Sequence, residues 1–189
     1  MAIDKIPGAG LETTGTASVN TFLRGDNAWA GTITSGTAVS ASGTSVDFTG
    51  IPSTAKRVTV LFTGLSLNTG GVNPITLRLG TSGGIQASGY TGSQGYVGGS
   101  PASTNMSAGF DMYADTAAET LSGAITLQLL NSATNLWVAT GIAGNTAAAY
   151  MRYIGGYVTL SGALTQIRMT TGNGTATFDA GSINIMWEG

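Results

Sequence analysis

The chain has 189 residues and a net charge of −2, with 8% charged residues against roughly 25% in an average soluble protein. The seven basic residues (Lys5, Arg24, Lys56, Arg57, Arg78, Arg152 and Arg168) are scattered, which argues against nucleic acid as a partner, because displacing counterions takes clustered cations. With 42% apolar residues a core can form; Cys and His are absent, and no apolar run approaches the 18 or so residues of a membrane span.

One domain is the default at this length. The opening Met1-Ala2-Ile3-Asp4-Lys5-Ile6-Pro7 lacks the apolar centre of a secretory leader, so synthesis in a cytoplasm without export is expected. Residues 1 to about 30 carry Ile3, Ile6, Leu11, Val19, Phe22, Leu23 and Trp29 at irregular spacing, interrupted by Pro7 and glycines. No helical or strand period fits. An extended N-terminal arm is expected here, with its bulky side chains lying on a partner or on sister chains.

From Gly31 onward strand signals are frequent. Ala38–Ser40 and Val46–Thr49 lead to a turn at Gly50-Ile51-Pro52-Ser53, and Lys56–Thr63 is rich in β-branched and aromatic residues. Pro74–Leu79 alternates, with Ile75, Leu77 and Leu79 expected inward and Thr76 and Arg78 outward. The same alternation returns at Ile125, Leu127 and Leu129 and at Ile183, Ile185 and Trp187. Further strands are expected in Ser107–Tyr113, Leu136–Ile142, Met151–Leu160, Leu164–Thr170 and Thr175–Asp179. Thr171-Gly172-Asn173-Gly174 reads as a hairpin turn, since Asn and Gly tolerate positive φ. Ala114–Leu121 is the only helical stretch and is very short. About ten short strands without a helical layer predict an all-β fold, an antiparallel β-sandwich of jelly-roll type over residues 31–189. The 30 glycines suit many tight turns, and the lack of cysteine leaves burial or oligomerisation to supply stability.

Two stretches resemble bacteriophage fibre proteins. Thr21-Phe22-Leu23-Arg24-Gly25-Asp26-Asn27-Ala28-Trp29, approached through Thr13-Thr14-Gly15-Thr16-Ala17-Ser18, is similar to a linker that joins the attachment end of such fibres to a folded tip. Asn27 departs from that pattern, in which Gly is usual. Ser42-Gly43-Thr44-Ser45-Val46-Asp47-Phe48-Thr49-Gly50-Ile51-Pro52, followed by Lys56-Arg57-Val58, resembles the opening of a C-terminal domain of virion-surface proteins. The likeness weakens through Leu77–Gly80 and Gly83–Ile85 to Tyr90. It implies a virion-surface location and a homotrimer, in which Phe22, Leu23, Arg24, Asp26 and Trp29 would make attachment and subunit contacts. Arg24-Gly25-Asp26 is also the integrin tripeptide, a match that the linker resemblance already accounts for.

Chemistry is sparse. Without histidine the commonest general base is missing, and without His and Cys no zinc cluster can form. No cofactor and no metal site is expected. An enzyme would have to use paired carboxylates, and only Asp111, Asp115 and Glu119 are close in sequence; a solvated loop is the simpler reading of these three. Gly80–Asn105 reads as a long loop carrying Tyr90, Gln94 and Tyr96. Exposed Tyr faces beside amides are what a sugar site needs; the alternative is that these tyrosines cap the sandwich or fill a subunit interface. Tyr150, Tyr153 and Tyr157 read as strand packing or a subunit contact.

The expectation is therefore a non-enzymatic phage structural protein displayed on the virion surface as a short homotrimeric fibre or knob. Its partners would be itself, capsid or tail proteins and host-surface glycans, with neither nucleic acid nor membrane insertion. The alternatives are a capsid decoration or cement protein that stabilises the head shell and, more remotely, a carboxylate-dependent glycan hydrolase.

Overall fold

A computed structural model describes residues 22–23, 29–30, 33–70, 73–98, 102–147 and 149–189. The chain divides into two units, Met1–Thr34 and Ser35–Gly189. Within the first, β1 (Phe22–Leu23) pairs antiparallel with β2 (Trp29–Ala30), Phe22 opposite Ala30 and Leu23 opposite Trp29.

The second unit is an antiparallel β-sandwich. Its larger sheet is built from β6 (Arg57–Leu67), β9 (Tyr90–Val97), β10 (Ala102–Met106), β12 (Leu121–Asn131), β13 (Leu136–Asn145), β14 (Met151–Thr159) and β16 (Phe178–Glu188). They lie in the order β10-β9-β14-β13-β12-β6-β16, with the short β3 (Thr34–Ser35) and β4 (Val39–Ser40) edging β16. The smaller sheet runs β11 (Phe110–Ala114), β7 (Asn73–Thr81), β15 (Gln166–Thr171), β5 (Ser45–Thr49), and β8 (Gly84–Ile85) adds to β7. Among the described residues there is no helix, and Ala114–Leu121 is strand end and turn.

Period-2 alternation explains why these segments pair as they do. In β7, Ile75, Leu77 and Leu79 are buried, and across the sandwich from Ile75 lie Phe62, Leu65, Leu121 and Ile125 of the larger sheet. One continuous apolar core results. Each fully buried Leu, such as Leu65, Leu77 or Leu127, contributes about 1.5–3 kcal/mol relative to exposure.

The parity of β6 changes along its length. Val58, Val60 and Phe62 face the core first, then Leu65 and Leu67. Thr63 pairs with Ser182 but Ser66 pairs with Ala180, so β6 carries one extra residue at this point. This is a β-bulge, centred on Gly64 at φ 61°, whose N–H donates to Ser122 Oγ at 2.9 Å. The bulge lets a strand expected to stop near Thr63 continue to Leu67.

Two other expectations are corrected and one is refined. Thr171–Gly174 does not close a hairpin: β15 belongs to the smaller sheet and β16 to the larger. The turn crosses between layers, and Asn173 Oδ1 accepts from the N–H groups of Thr175 and Ala176 to hold it. A tight hairpin instead joins β7 to β8, where Thr81 pairs with Gly84, and a longer one joins β12 to β13, where Asn135 takes φ 53°. Thr76 has the outward parity expected, beside Asp111 of β11, yet it is covered there. It is 1% exposed, because Gly109 lies against its methyl group so closely that a Cβ there would sit 2.2 Å away. Finally, Gly80–Asn105 is not a loop but holds β8, β9 and most of β10. Its Gly- and Ser-rich composition concealed strands whose partners supply the apolar surface.

Candidate functional site

The two sheets are unequal in width, and that inequality makes a site. β11 is the edge strand of the smaller sheet and packs against β14 and β9 of the larger. β10 lies beyond them. The inner face at this end of the larger sheet therefore extends past the layer that would cover it. A cavity of about 110 Å³ forms there, floored by Gln94, Tyr96 and Arg152 and rimmed by Ala102, Thr104, Tyr113 and Asp115.

Strand parity places the floor. Arg152 and Ile154 on β14 point inward together, and they sit opposite Tyr96 and Gln94 of β9. Arg152 is 1% exposed. Its Nη2 donates to Asp115 Oδ2 at 2.7 Å and lies 3.6 Å from Glu119 Oε2. Glu119, itself buried, also accepts the backbone N–H of Asp115 at 2.8 Å. The guanidinium carbon is 4.8 Å from the Tyr96 ring centre and 5.8 Å from that of Tyr150, within cation–π range. The two tyrosine rings are 5.2 Å apart, tilted by 52°. Two polar atoms at the floor have no hydrogen-bond partner among the described residues, Arg152 Nε and Gln94 Oε1.

The three residues expected on an exposed loop thus separate. Tyr90 is 3% exposed and belongs to the core. Its hydroxyl accepts from Leu79 N–H at 2.8 Å and donates to Gln86 carbonyl oxygen at 3.0 Å, and its ring meets Phe110 edge-on at 5.1 Å. Burial pushes its pKa up to about 12, against the opposing influence of the Leu79 hydrogen bond and Arg78. Gln94 is buried and Tyr96 half-buried, and both line the cavity. The acidic trio also separates. Asp115 and Glu119 gather on Arg152, whereas Asp111 accepts from Thr76 Oγ1 at 2.7 Å. Burial raises the Asp111 pKa, with Thr76 and Arg78 opposing.

Sequence reasoning did not single out Arg152. A signal was present, since in Met151–Thr159 the arginine shares parity with Ile154 and Val158. A cation on the apolar face of a strand needs buried partners, and the only clustered acids were Asp111, Asp115 and Glu119. Of the expected attachment residues, Phe22, Leu23 and Trp29 fall in the β1–β2 pair, Leu23 being 38% exposed. Arg24 and Asp26 lie outside the described residues.

The opposite face of the larger sheet has a different character. The strands β10, β9, β14, β13 and β12 contain one charged residue, Arg152, and it points inward. On their outer face Ile142 stands opposite Tyr153, and Val97 opposite Met151, all four exposed, with Tyr157 exposed on the same side.

No family model, curated protein or solved structure matches this chain.

Proposed function

We propose that this is a non-enzymatic structural protein of a bacteriophage virion, a short homotrimeric fibre or knob attached through its N-terminal segment. The observation that carries the proposal is the uncharged, apolar outer face of β9, β13 and β14, with Val97, Ile142, Met151, Tyr153 and Tyr157 exposed. Exposed apolar side chains gathered on one face, Ile142 beside Tyr153 and Met151 beside Val97, with Ser93 and Thr140 between these and Tyr157, mark an interaction site, and a second and third copy of the same neutral face need no opposing charge. The linker-like Thr21–Trp29 supplies the attachment end. The cavity at the open end of the sandwich is where a host-surface glycan would be recognised.

A structural rather than catalytic role is supported by the carboxylates. Asp115 and Glu119 share one guanidinium and Asp111 is engaged by Thr76, an arrangement that leaves no free acid and base flanking a common space.

Immunogold electron microscopy of the virus particle, with antibody against residues 31–189, tests the assignment. Label at the tail tip or baseplate is the expected outcome. Label spread over the head would make the protein a capsid decoration or cement protein instead, and unlabelled particles would remove the virion assignment.

A further inference from the structure

We propose that the cavity over Arg152 and Gln94 binds one uncharged sugar unit through a group that donates and accepts hydrogen bonds at once. This deepens, and rests on, the reading of the body as a glycan-recognising knob. Four buried side-chain polar atoms lack a partner among the described residues, and two of them belong to residues that line one cavity. Arg152 Nε is a donor and Gln94 Oε1 an acceptor, both are buried, and neither has a partner. Buried polar groups are nearly always satisfied, so each exception calls for an explanation. The two side chains floor the same cavity, and their neighbours on paired strands, Tyr96 and Ile154, fix their spacing.

The chemistry of the pair selects the ligand class. A carboxylate or phosphate only accepts, so it leaves Gln94 Oε1 unmet. An ammonium only donates, so it leaves Arg152 Nε unmet. A hydroxyl or a secondary amide does both, and sugars carry these groups at fixed spacing. Charge points the same way. Two carboxylates, Asp115 and Glu119, face one guanidinium, so the pocket is negative on balance and repels an acidic sugar. About 110 Å³ admits part of a sugar ring, leaving the remainder outside as in a terminal unit of a longer chain. Tyr96 at the floor and Tyr113 at the rim give aromatic surface, and Thr104 gives a hydroxyl at the rim. Both orphaned atoms are buried, so engagement requires the Gln94 and Arg152 side chains to shift toward the cavity with Oε1 and Nε leading.

The test is saturation-transfer-difference NMR on the full chain with glucose, galactose, mannose and N-acetylglucosamine, each beside glucuronate and N-acetylneuraminate. Binding of the same protein to host cells is measured in parallel. At least one uncharged sugar should show transfer, and the two acidic sugars none. Gln94→Leu should weaken that binding about tenfold, the equivalent of one lost hydrogen bond, while its circular dichroism and melting temperature hold. Thr104→Val, at the exposed rim, should weaken it too and stands in if Gln94→Leu fails to fold. Transfer from the acidic sugars equal to that from the neutral ones would overturn the proposal, as would full-strength binding by the variants. Host-cell binding by the wild type with no transfer from any sugar would overturn the pocket assignment and leave the knob reading standing. Neither cell binding nor transfer would overturn both.

Discussion

Tyr90 and Arg152 show how single residues at this end of the sandwich divide between structure and site. Tyr90 buries its ring against Phe110 and ties its hydroxyl to Leu79 and Gln86, so its proton is held in the fold to about pH 12, against 10.0 for an ordinary tyrosine. The unfolded chain releases that proton near pH 10. The stabilisation is therefore complete below pH 10 and is lost as the pH rises through 12, at most about 3 kcal/mol over the interval. Tyr90→Phe should lower stability at pH 7 by about 1–3 kcal/mol, because the buried Leu79 N–H loses its acceptor. The variant should then decline less steeply than the wild type between pH 10 and 12. Urea denaturation at pH 7, 10, 11 and 12 measures both effects, and parallel curves for the two proteins would refute the assignment of alkaline sensitivity to Tyr90. Arg152 behaves differently. Its charge is answered by Asp115 and Glu119, yet its Nε has no partner among the described residues.

At the scale of elements, the bulge in β6 decides how far the central strand reaches. Gly64 at φ 61° and Gly181 at φ 105° face each other across β6 and β16, both in the left-handed half of φ that other residues avoid. A Cβ on Gly181 would lie 2.7 Å from the Gly64 carbonyl oxygen and from Leu65 N. Gly181→Ala should therefore cost about 1–3 kcal/mol, read as a lowered melting temperature; an unchanged midpoint would show that the two strands separate there at no cost. The same bulge explains the limits of the sequence. Where side chains alternated without interruption, as in Ile75-Thr76-Leu77-Arg78-Leu79, Ile125–Leu129 and Ile183–Trp187, the all-β fold and the inward residues were legible. Past Gly64 the inward set moves from even to odd positions, so no single period runs through Arg57–Leu67. β9 and β10 were illegible for another reason. Tyr90-Thr91-Gly92-Ser93-Gln94-Gly95 carries few apolar residues of its own, and Gly92 is required because a Cβ there would sit 2.4 Å from the Gly155 carbonyl oxygen of β14. That close approach is a property of the pair of strands and has no trace in either one alone. Half of the candidate site was anticipated, in Gln94 and Tyr96. The other half depends on Arg152 and Asp115 meeting across the sandwich, a contact between residues 37 apart in the chain.

For the whole molecule, the distribution of charge is more informative than its total. The ion pairs Arg57–Glu188 and Asp47–Arg168 lie on β6 with β16 and on β5 with β15, whereas the outer face of β9, β13 and β14 has none. A monomer would gain solubility from charges there, and an edge strand such as β10, Ala102–Met106, would ordinarily carry a charge or a bulge against unwanted pairing. The proposed homotrimer, formed through the neutral face, would account for the first of these omissions. The purified chain should then have a solution mass three times its 18.9 kDa. Ile142→Asp and Tyr157→Asp, made separately, should each shift it toward the monomer. Both side chains project outward and are about half exposed, at 54% and 48%, so loss of fold stability should stay near 0.5 kcal/mol. Loss of association should be far larger, because a carboxylate buried against an apolar partner finds no counter-charge. Ser53→Asp, on an exposed turn remote in sequence from that face, should leave the mass unchanged. Light scattering coupled to size exclusion decides the matter. A wild-type chain that stays monomeric at about 100 µM, a concentration at which even a weak micromolar interface is mostly occupied, would remove self-association and leave the apolar face to a different partner.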